Sequence, residues 1–245
     1  MAKKQPVLIA KDISLTYEIK TQRNNRTRWT KITSSIIGHK KTIHALEKMS
    51  LQLNSGEIIA LVGNAGSGKS SLLETLGGAV KPDSGEIWAI ENPVLLNGNF
   101  ASFGQLSGIE NIRLALLSMG IRKTEATQLV REIIETSKIK KIAHNPVNSY
   151  SSSTKKKLMI EVALSQNPKI LLIDQRIRMR GREERAEFEA RIRDLAKSGC
   201  CVVFVGLSVT RTSQLCNRVI WLDQGQIKDD GTLKRVLPLF RNRKS

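Results

Sequence analysis

The sequence predicts an α/β fold organised around a mainly parallel sheet, and three observations carry that expectation. Ile58-Ile59-Ala60-Leu61-Val62, Ile170-Leu171-Leu172-Ile173 and Val202–Val205 are continuous apolar runs of strand length, as strands covered on both faces read. Helical segments separate them, which is the pattern of a parallel sheet with crossovers. The first run leads straight into Gly63-Asn64-Ala65-Gly66-Ser67-Gly68-Lys69-Ser70, the G-x-x-x-x-G-K-[ST] pattern between a strand and a helix.

The elements follow in order. Residues 7–18 alternate at Leu15 and Tyr17 against Thr16 and Glu18 and read as strand, in one or two pieces. Residues 19–42 break the pattern. Between Lys20 and Thr42 lie Lys20, Arg23, Arg26, Arg28, Lys31, Lys40 and Lys41, no Asp or Glu, and the apolar Trp29, Ile32, Ile36 and Ile37. Alternation resumes over 43–53, and Asn54-Ser55-Gly56 is a turn. After residue 68 a helix places Leu72, Leu73 and Leu76 on one face and stops near Gly77-Gly78. Residues 85–97 read as short strands around turns. Residues 105–166 read as a helical insertion, with Leu129, Ile133 and Ile134 in one helix and Leu158, Met159, Val162 and Ala163 in another. Residues 182–197 form a charged amphipathic helix with Phe188, Ile192 and Leu195 inward. A strand over Val202–Val205, a helix through Leu215, a strand over Val219–Leu222 and a turn at Gln224-Gly225 complete the reading.

With 245 residues and 40% hydrophobic content, the chain is large enough for a core without staples and too apolar for disorder. It is expected to be one unit over 1–245. No apolar run approaches the roughly 20 residues of a membrane-spanning helix, and the basic start is not followed by a signal-like apolar region. Cys200, Cys201 and Cys216 are an odd set without a CxxC pair and read as small core residues in a reducing compartment. Lys plus Arg is 40 against 22 for Asp plus Glu, a net charge of +18. That balance asks for an anionic partner: nucleic acid, membrane surface or phosphate ligand.

The chemistry concentrates in the glycine-rich loop. Its glycines let successive backbone N–H groups turn toward one phosphate chain, and the helix that follows adds unsatisfied N–H groups and a positive dipole end. Lys69 reaches the β- and γ-phosphates, and the Ser70 hydroxyl ligates Mg²⁺. Residues Gly63 through Ser71 therefore form the candidate phosphate site. Asp174, closing the Ile170–Ile173 run, is the acid that holds Mg²⁺ through water.

Several further segments make the chain resemble the ATP-binding subunits of ABC transporters. Ser55-Gly56-Glu57-Ile58 precedes the phosphate loop as in that family. Pro82-Asp83-Ser84-Gly85-Glu86-Ile87 follows its helix. Tyr150-Ser151-Ser152-Ser153-Thr154 stands at the place of the family signature, and Asp223-Gln224-Gly225-Gln226-Ile227 is similar to its D-x-G-x-I hairpin. The likeness spans about residues 6–232. The stretch Gly104 through Ile112, the basic loop ending in His44-Ala45-Leu46, and Cys216 through Leu222 are similar to exporters of teichoic acid, O-antigen and related polysaccharides. The resemblance implies a P-loop NTPase of ABC type, with an antiparallel β subdomain and a helical subdomain at about 105–166. It implies ATP and Mg²⁺ as cofactors, a homodimer or heterodimer of ATP-binding subunits, a membrane permease partner, and a peripheral position on the cytoplasmic side of a bacterial-type cell membrane. It also places Tyr17 against adenine, with core packing as the other role open to that ring. Ser151 and Ser152 are either phosphate donors across the dimer or a helix N-cap, or both.

Departures from the family fall on the hydrolytic parts. Gln175 stands where a glutamate polarises water, and an amide lacks a comparable basic lone pair. Leu207 stands at the switch-histidine position. Ser153 replaces the second signature glycine, Gly181 an aspartate, and Asn97 lies near a Mg²⁺-sensing glutamine. Binding residues kept and water-activating residues replaced imply a subunit that binds ATP and hydrolyses it poorly. A non-catalytic nucleotide-sensing adaptor is the alternative reading. The basic loop, the arginine-rich stretch 176–193 and the tail Arg241-Asn242-Arg243-Lys244 fit a membrane face better than nucleic acid. Each Lys or Arg beside an anionic leaflet contributes about 1 kcal/mol, and an aromatic content of 4% leaves little for base stacking.

Overall fold

The structure is a computed structural model that describes residues 5–20, 40–97, 103–174 and 181–242, with the side chains of 19, 20, 40 and 41 left aside. Gln175, most of the basic loop, the start of the arginine-rich stretch and the end of the tail lie outside the described residues.

Strands β3 (Ile58–Val62), β6 (Ile170–Ile173), β7 (Cys201–Val205) and β8 (Arg218–Asp223) are the apolar runs of the sequence. With β5 (Val94–Leu96) and β9 (Gln226–Gly231) they form one six-stranded sheet in the order β5-β6-β7-β3-β8-β9. All pairs are parallel except the β8–β9 hairpin. The continuous hydrophobicity has a direct cause. Alternate residues of each strand serve two separate cores. Ile58, Ala60, Leu171, Ile173, Val202, Phe204, Val219 and Trp221 join a cluster with helices α4 (Ser152–Leu164), α5 (Arg182–Lys197), α6 (Val209–Leu215) and α7 (Leu233–Asn242). Ile59, Leu61, Ile170, Leu172, Val203, Val205, Ile220 and Leu222 join the opposite cluster with α1 (Lys69–Leu76).

That second cluster is completed by a three-stranded antiparallel sheet, β2-β1-β4, made of β1 (Pro6–Lys20), β2 (Lys40–Asn54) and β4 (Ser84–Ala89). The structure corrects the expected length of the basic loop. The β1–β2 ladder continues through Glu18↔Thr42, Ile19↔Lys41 and Lys20↔Lys40, because backbone pairing does not need the alternation whose loss suggested a break at residue 19. The third cluster belongs to α2 (Gly108–Ser118), α3 (Lys123–Thr136) and part of α4, with the 3₁₀ turn Val147–Ser149 between them. The expected helical insertion is therefore three helices joined by irregular chain. Ser107 and Glu110 cap α2 reciprocally, and these hydrogen bonds hold the Glu110 carboxyl below the usual carboxylate range. The Asn111 amide gathers the Phe103, Leu106 and Ser107 carbonyls ahead of it.

One helix was not foreseen. α7 contains Pro238, which argues against a helix in sequence, yet Val236, Leu237 and Phe240 bury one face, and Phe240 meets Trp221 edge-on at 5.8 Å. Among the described residues no helix is long and apolar enough to cross a membrane.

All three cysteines are free and buried. Burial pushes the Cys200 and Cys216 thiols up to about 12 and drives Cys201 in the same direction. The thiolate is the reactive form. A thiol reagent at pH 8 is therefore expected to leave the folded protein unlabelled over minutes and to label every cysteine in denaturant. Prompt labelling of the folded chain would contradict this packing.

Candidate functional site

In the large sheet, β3 lies between β7 on one side and β8 on the other. The chain leaves β3 toward the β5 side, whereas the β7–β8 crossover passes β3 to reach the other side, so a crevice opens at the carboxyl ends of these strands, the usual ligand position in open α/β sheets. The sequence places the glycine-rich loop, Asp174 and the Gly206–Leu207 bend at that edge, after β3, β6 and β7 respectively. Asn97 follows β5 at the same edge.

The loop from Gly63 to Gly68 is shaped by close backbone approaches. A Cβ at Gly63 would sit 2.4 Å from the Leu222 carbonyl oxygen, and one at Gly68 (φ +95°) would sit 2.4 Å from that of Ala45. Neither position has room for a side chain, and Gly68 also needs the left-handed backbone to begin α1. Lys69 folds back over the loop. Its ammonium donates to the Gly63 carbonyl at 3.0 Å, the Asn64 carbonyl at 2.5 Å and the Ser67 hydroxyl at 3.0 Å. Partial burial lowers its pKa from the ordinary lysine value, so an anion arriving beside it would restore the balance in favour of the charged form.

An open cavity of about 510 Å³ lies over this loop, lined by Ala65, Gly66, Ser67, Lys69, Ser70 and Ser71 among others. Its other wall comes from the antiparallel sheet: Tyr17, Ile43 and Ala45. Tyr17 is 37% exposed and Ile43 38%, and they are cross-strand partners. The ring thus faces the cavity, not the core. Ile43, Ala45 and Gly206 also line the cavity and had not been singled out. Only the register that pairs Ile43 with Tyr17 brings the first of them to the site.

Asp174 is 1% exposed. Its backbone N–H donates to the Leu96 carbonyl at 2.8 Å, but its Oδ1 has no hydrogen-bond partner among the described residues. A buried carboxylate oxygen without a donor is costly, and a bound cation or its water would satisfy it. The donor set of a carboxylate and the Ser70 hydroxyl fits Mg²⁺, which takes hard oxygen ligands.

The remaining predicted residues lie apart from this cavity or do other work. Ser151 caps α4, its hydroxyl accepting from the Thr154 N–H at 3.1 Å. The same hydroxyl lies 2.9 Å from Ser153 Oγ, and Ser151, Ser152 and Ser153 are all exposed at the helix start. Leu207 is half-buried and packs against the helix-side core. Gly181 is the N-cap of α5.

The ABC transporter family matches residues 46–177. The teichoic acids export ATP-binding protein TagH of Staphylococcus epidermidis is 34% identical over 227 residues, covering 92% of this chain and 85% of the relative. The protein of the same name from Staphylococcus saprophyticus is 33% identical over 227 residues, again 92% and 85%. Among solved structures, the ATP-binding cassette MJ0796 in a dimeric post-hydrolysis state with ADP and phosphate superposes with a TM-score of 0.72 at 21% identity, covering 92% of this chain and 98% of that one. The ATP-binding subunit of an ABC transporter superposes at 0.74 with 18% identity, covering 98% and 95%. The structural likenesses carry the fold, and the family match together with the longer sequence relatives carries the descent: the chain belongs to the ABC transporter family.

Proposed function

We propose that this chain is one nucleotide-binding unit of an ABC exporter for a cell-surface polysaccharide of the teichoic-acid type, binding Mg-ATP at a dimer interface and hydrolysing it slowly. The observation that carries the reading is the cavity between the phosphate loop and the Tyr17–Ile43 pair, in a chain whose relatives over 92% of its length are named as teichoic acids export ATP-binding proteins.

The roles follow from chemistry. Tyr17 and Ile43 cover the base. Residues Gly63 through Ser71 surround the phosphates with backbone N–H groups, and Lys69 adds a movable positive charge. Ser70 would hold Mg²⁺ directly and Asp174 would hold it through water, and the cation would supply charge neutralisation on the phosphates. Ser151 and Ser152 offer exposed donors to a second subunit's nucleotide, Ser151 while also capping α4. The permease and the cytoplasmic leaflet are the partners on the membrane side, with the basic segments toward the lipid.

Slow hydrolysis rests on what replaces the water-activating groups. Leu207 puts an apolar side chain into the core, where a histidine would have offered a hydrogen bond. The Ser153 side chain occupies a backbone position that a glycine would leave open. Gln175 supplies no general base, a loss of about 10²–10⁴ in rate for such groups. Purified chain is expected to bind ATP but turn it over at least about 100-fold more slowly than an ABC subunit with glutamate and histidine at these positions. Gln175→Glu alone is expected to recover little, since Leu207 remains. Ordinary turnover by the chain without a partner would overturn the slow-hydrolysis reading.

A further inference from the structure

The β8–β9 hairpin turns at Gln224 and Gly225, both with positive φ (+48° and +77°), as the two-residue turns that match strand twist require. The resemblance marked this turn without giving it work to do. Its backbone is engaged on both sides. The Gly225 N–H donates to the Ser67 carbonyl of the phosphate loop at 3.3 Å, and the Gly225 carbonyl accepts from the Glu47 N–H of β2 at 2.9 Å. The next residue repeats the link, Gln226 Nε2 donating to Glu47 Oε2 at 2.9 Å.

The spacing is tight. A Cβ on Gly225 would lie 3.1 Å from the Ala45 carbonyl oxygen, the same atom that excludes a side chain from Gly68. Two residues before Ala45 on β2 stands Ile43, the partner of Tyr17. The backbone of one residue therefore touches both the phosphate loop of the large sheet and the strand of the small sheet that carries the base-facing pair. A nucleotide has a fixed covalent length between base and phosphates. Its two half-sites must be held in register to within about 0.5 Å to be used together.

We infer that Gly225 is a positioning residue that sets the distance between the base-facing strand pair and the phosphate loop. The inference rests on the nucleotide-binding reading above. A side chain at 225 pushes on Ala45 and opens that distance, so a ligand spanning both half-sites loses more than one that uses the loop alone.

The test compares Gly225→Ala with Gly120→Ala in the full chain. Gly120 also has positive φ (+86°) but nothing within 4 Å of a Cβ, so it reproduces the backbone strain without the close approach. Calorimetric titration with ATP and with inorganic tripolyphosphate, both with Mg²⁺, is the measurement. For Gly225→Ala, ATP affinity is expected to fall about tenfold and tripolyphosphate affinity less than about threefold, while Gly120→Ala changes neither. An unchanged ATP affinity, or equal losses for both ligands, would overturn the inference. If Gly225→Ala does not fold, Gln226→Ala removes the Glu47 link, and the same imbalance is expected at about twofold to threefold; its absence would overturn the inference equally. Wild-type chain that binds neither ligand would overturn the nucleotide reading itself, an outcome distinct from a wild-type binder whose variants show no imbalance.

Discussion

Lys69→Ala is expected to lower ATP affinity by about 100-fold or more, the loss of charge-assisted bonds worth about 1.5–3 kcal/mol each. The geometry explains why one side chain carries so much. Its ammonium bonds to the Gly63 and Asn64 carbonyls and the Ser67 hydroxyl, and among the described residues no other lysine or arginine lines that cavity. The loop's N–H groups remain in the variant, so residual binding through backbone donors is expected. The fold should be nearly unaffected, with a melting temperature within about 3 °C of wild type, since a partly exposed side chain is lost without opening the core. Titration of ATP into both proteins, alongside a thermal melt, checks the two halves together. An affinity within threefold of wild type would show that the phosphates sit elsewhere.

Arg218→Ala has the largest expected effect on stability. Its guanidinium meets Glu57 at 2.7 Å and Asp230 at 2.6 Å, and also donates to the Gln52 carbonyl at 2.9 Å. Asp230 first, then Glu57, favour its charged form and raise its pKa further above an already high value. Glu57 is 2% exposed and also accepts from the Asn54 N–H at 3.1 Å. Removing the arginine strands a buried carboxylate, which costs about 3–5 kcal/mol, or roughly 10 °C in melting temperature for a chain of this size. Arg218→Met combined with Glu57→Gln is expected to recover most of the loss, because desolvating a complete pair nearly offsets its attraction. Urea unfolding of the single and double variants checks this. A single-variant loss below 1 kcal/mol would mean that Glu57 finds water or another donor.

The two features were not equally legible in the sequence. Lys69 sits in a local pattern whose strand and helix flanks can be read within a dozen residues. α5 was equally clear, because Phe188 and Ile192 recur at helical spacing along 182–197. The Arg218 pair was invisible: Glu57 and Arg218 are 161 positions apart, and neither belongs to a charge pattern. The same holds for Ile43, whose place beside Tyr17 depends on a register between two strands. α7 went unread in the sequence; Pro238 lies inside it, and its usual helix-breaking cost is outweighed by the burial of Val236, Leu237 and Phe240. Local rules found what one segment decides alone; what two distant segments decide jointly had to wait for the fold.

The division of α4 between two cores has a consequence for how the molecule opens. Leu158 and Val162 pack with α2 and α3, whereas Met159, Ile160, Ala163 and Leu164 pack with the large sheet. Shedding α2 and α3 would uncover only the smaller apolar set and leave both sheets closed. Amide protons of these two helices therefore have a route to solvent that does not pass through global unfolding, while those on the sheet-facing side of α4 do not. The chain is expected to unfold as a cooperative sheet carrying a separately meltable cap, with α4 as the seam along which the cap detaches.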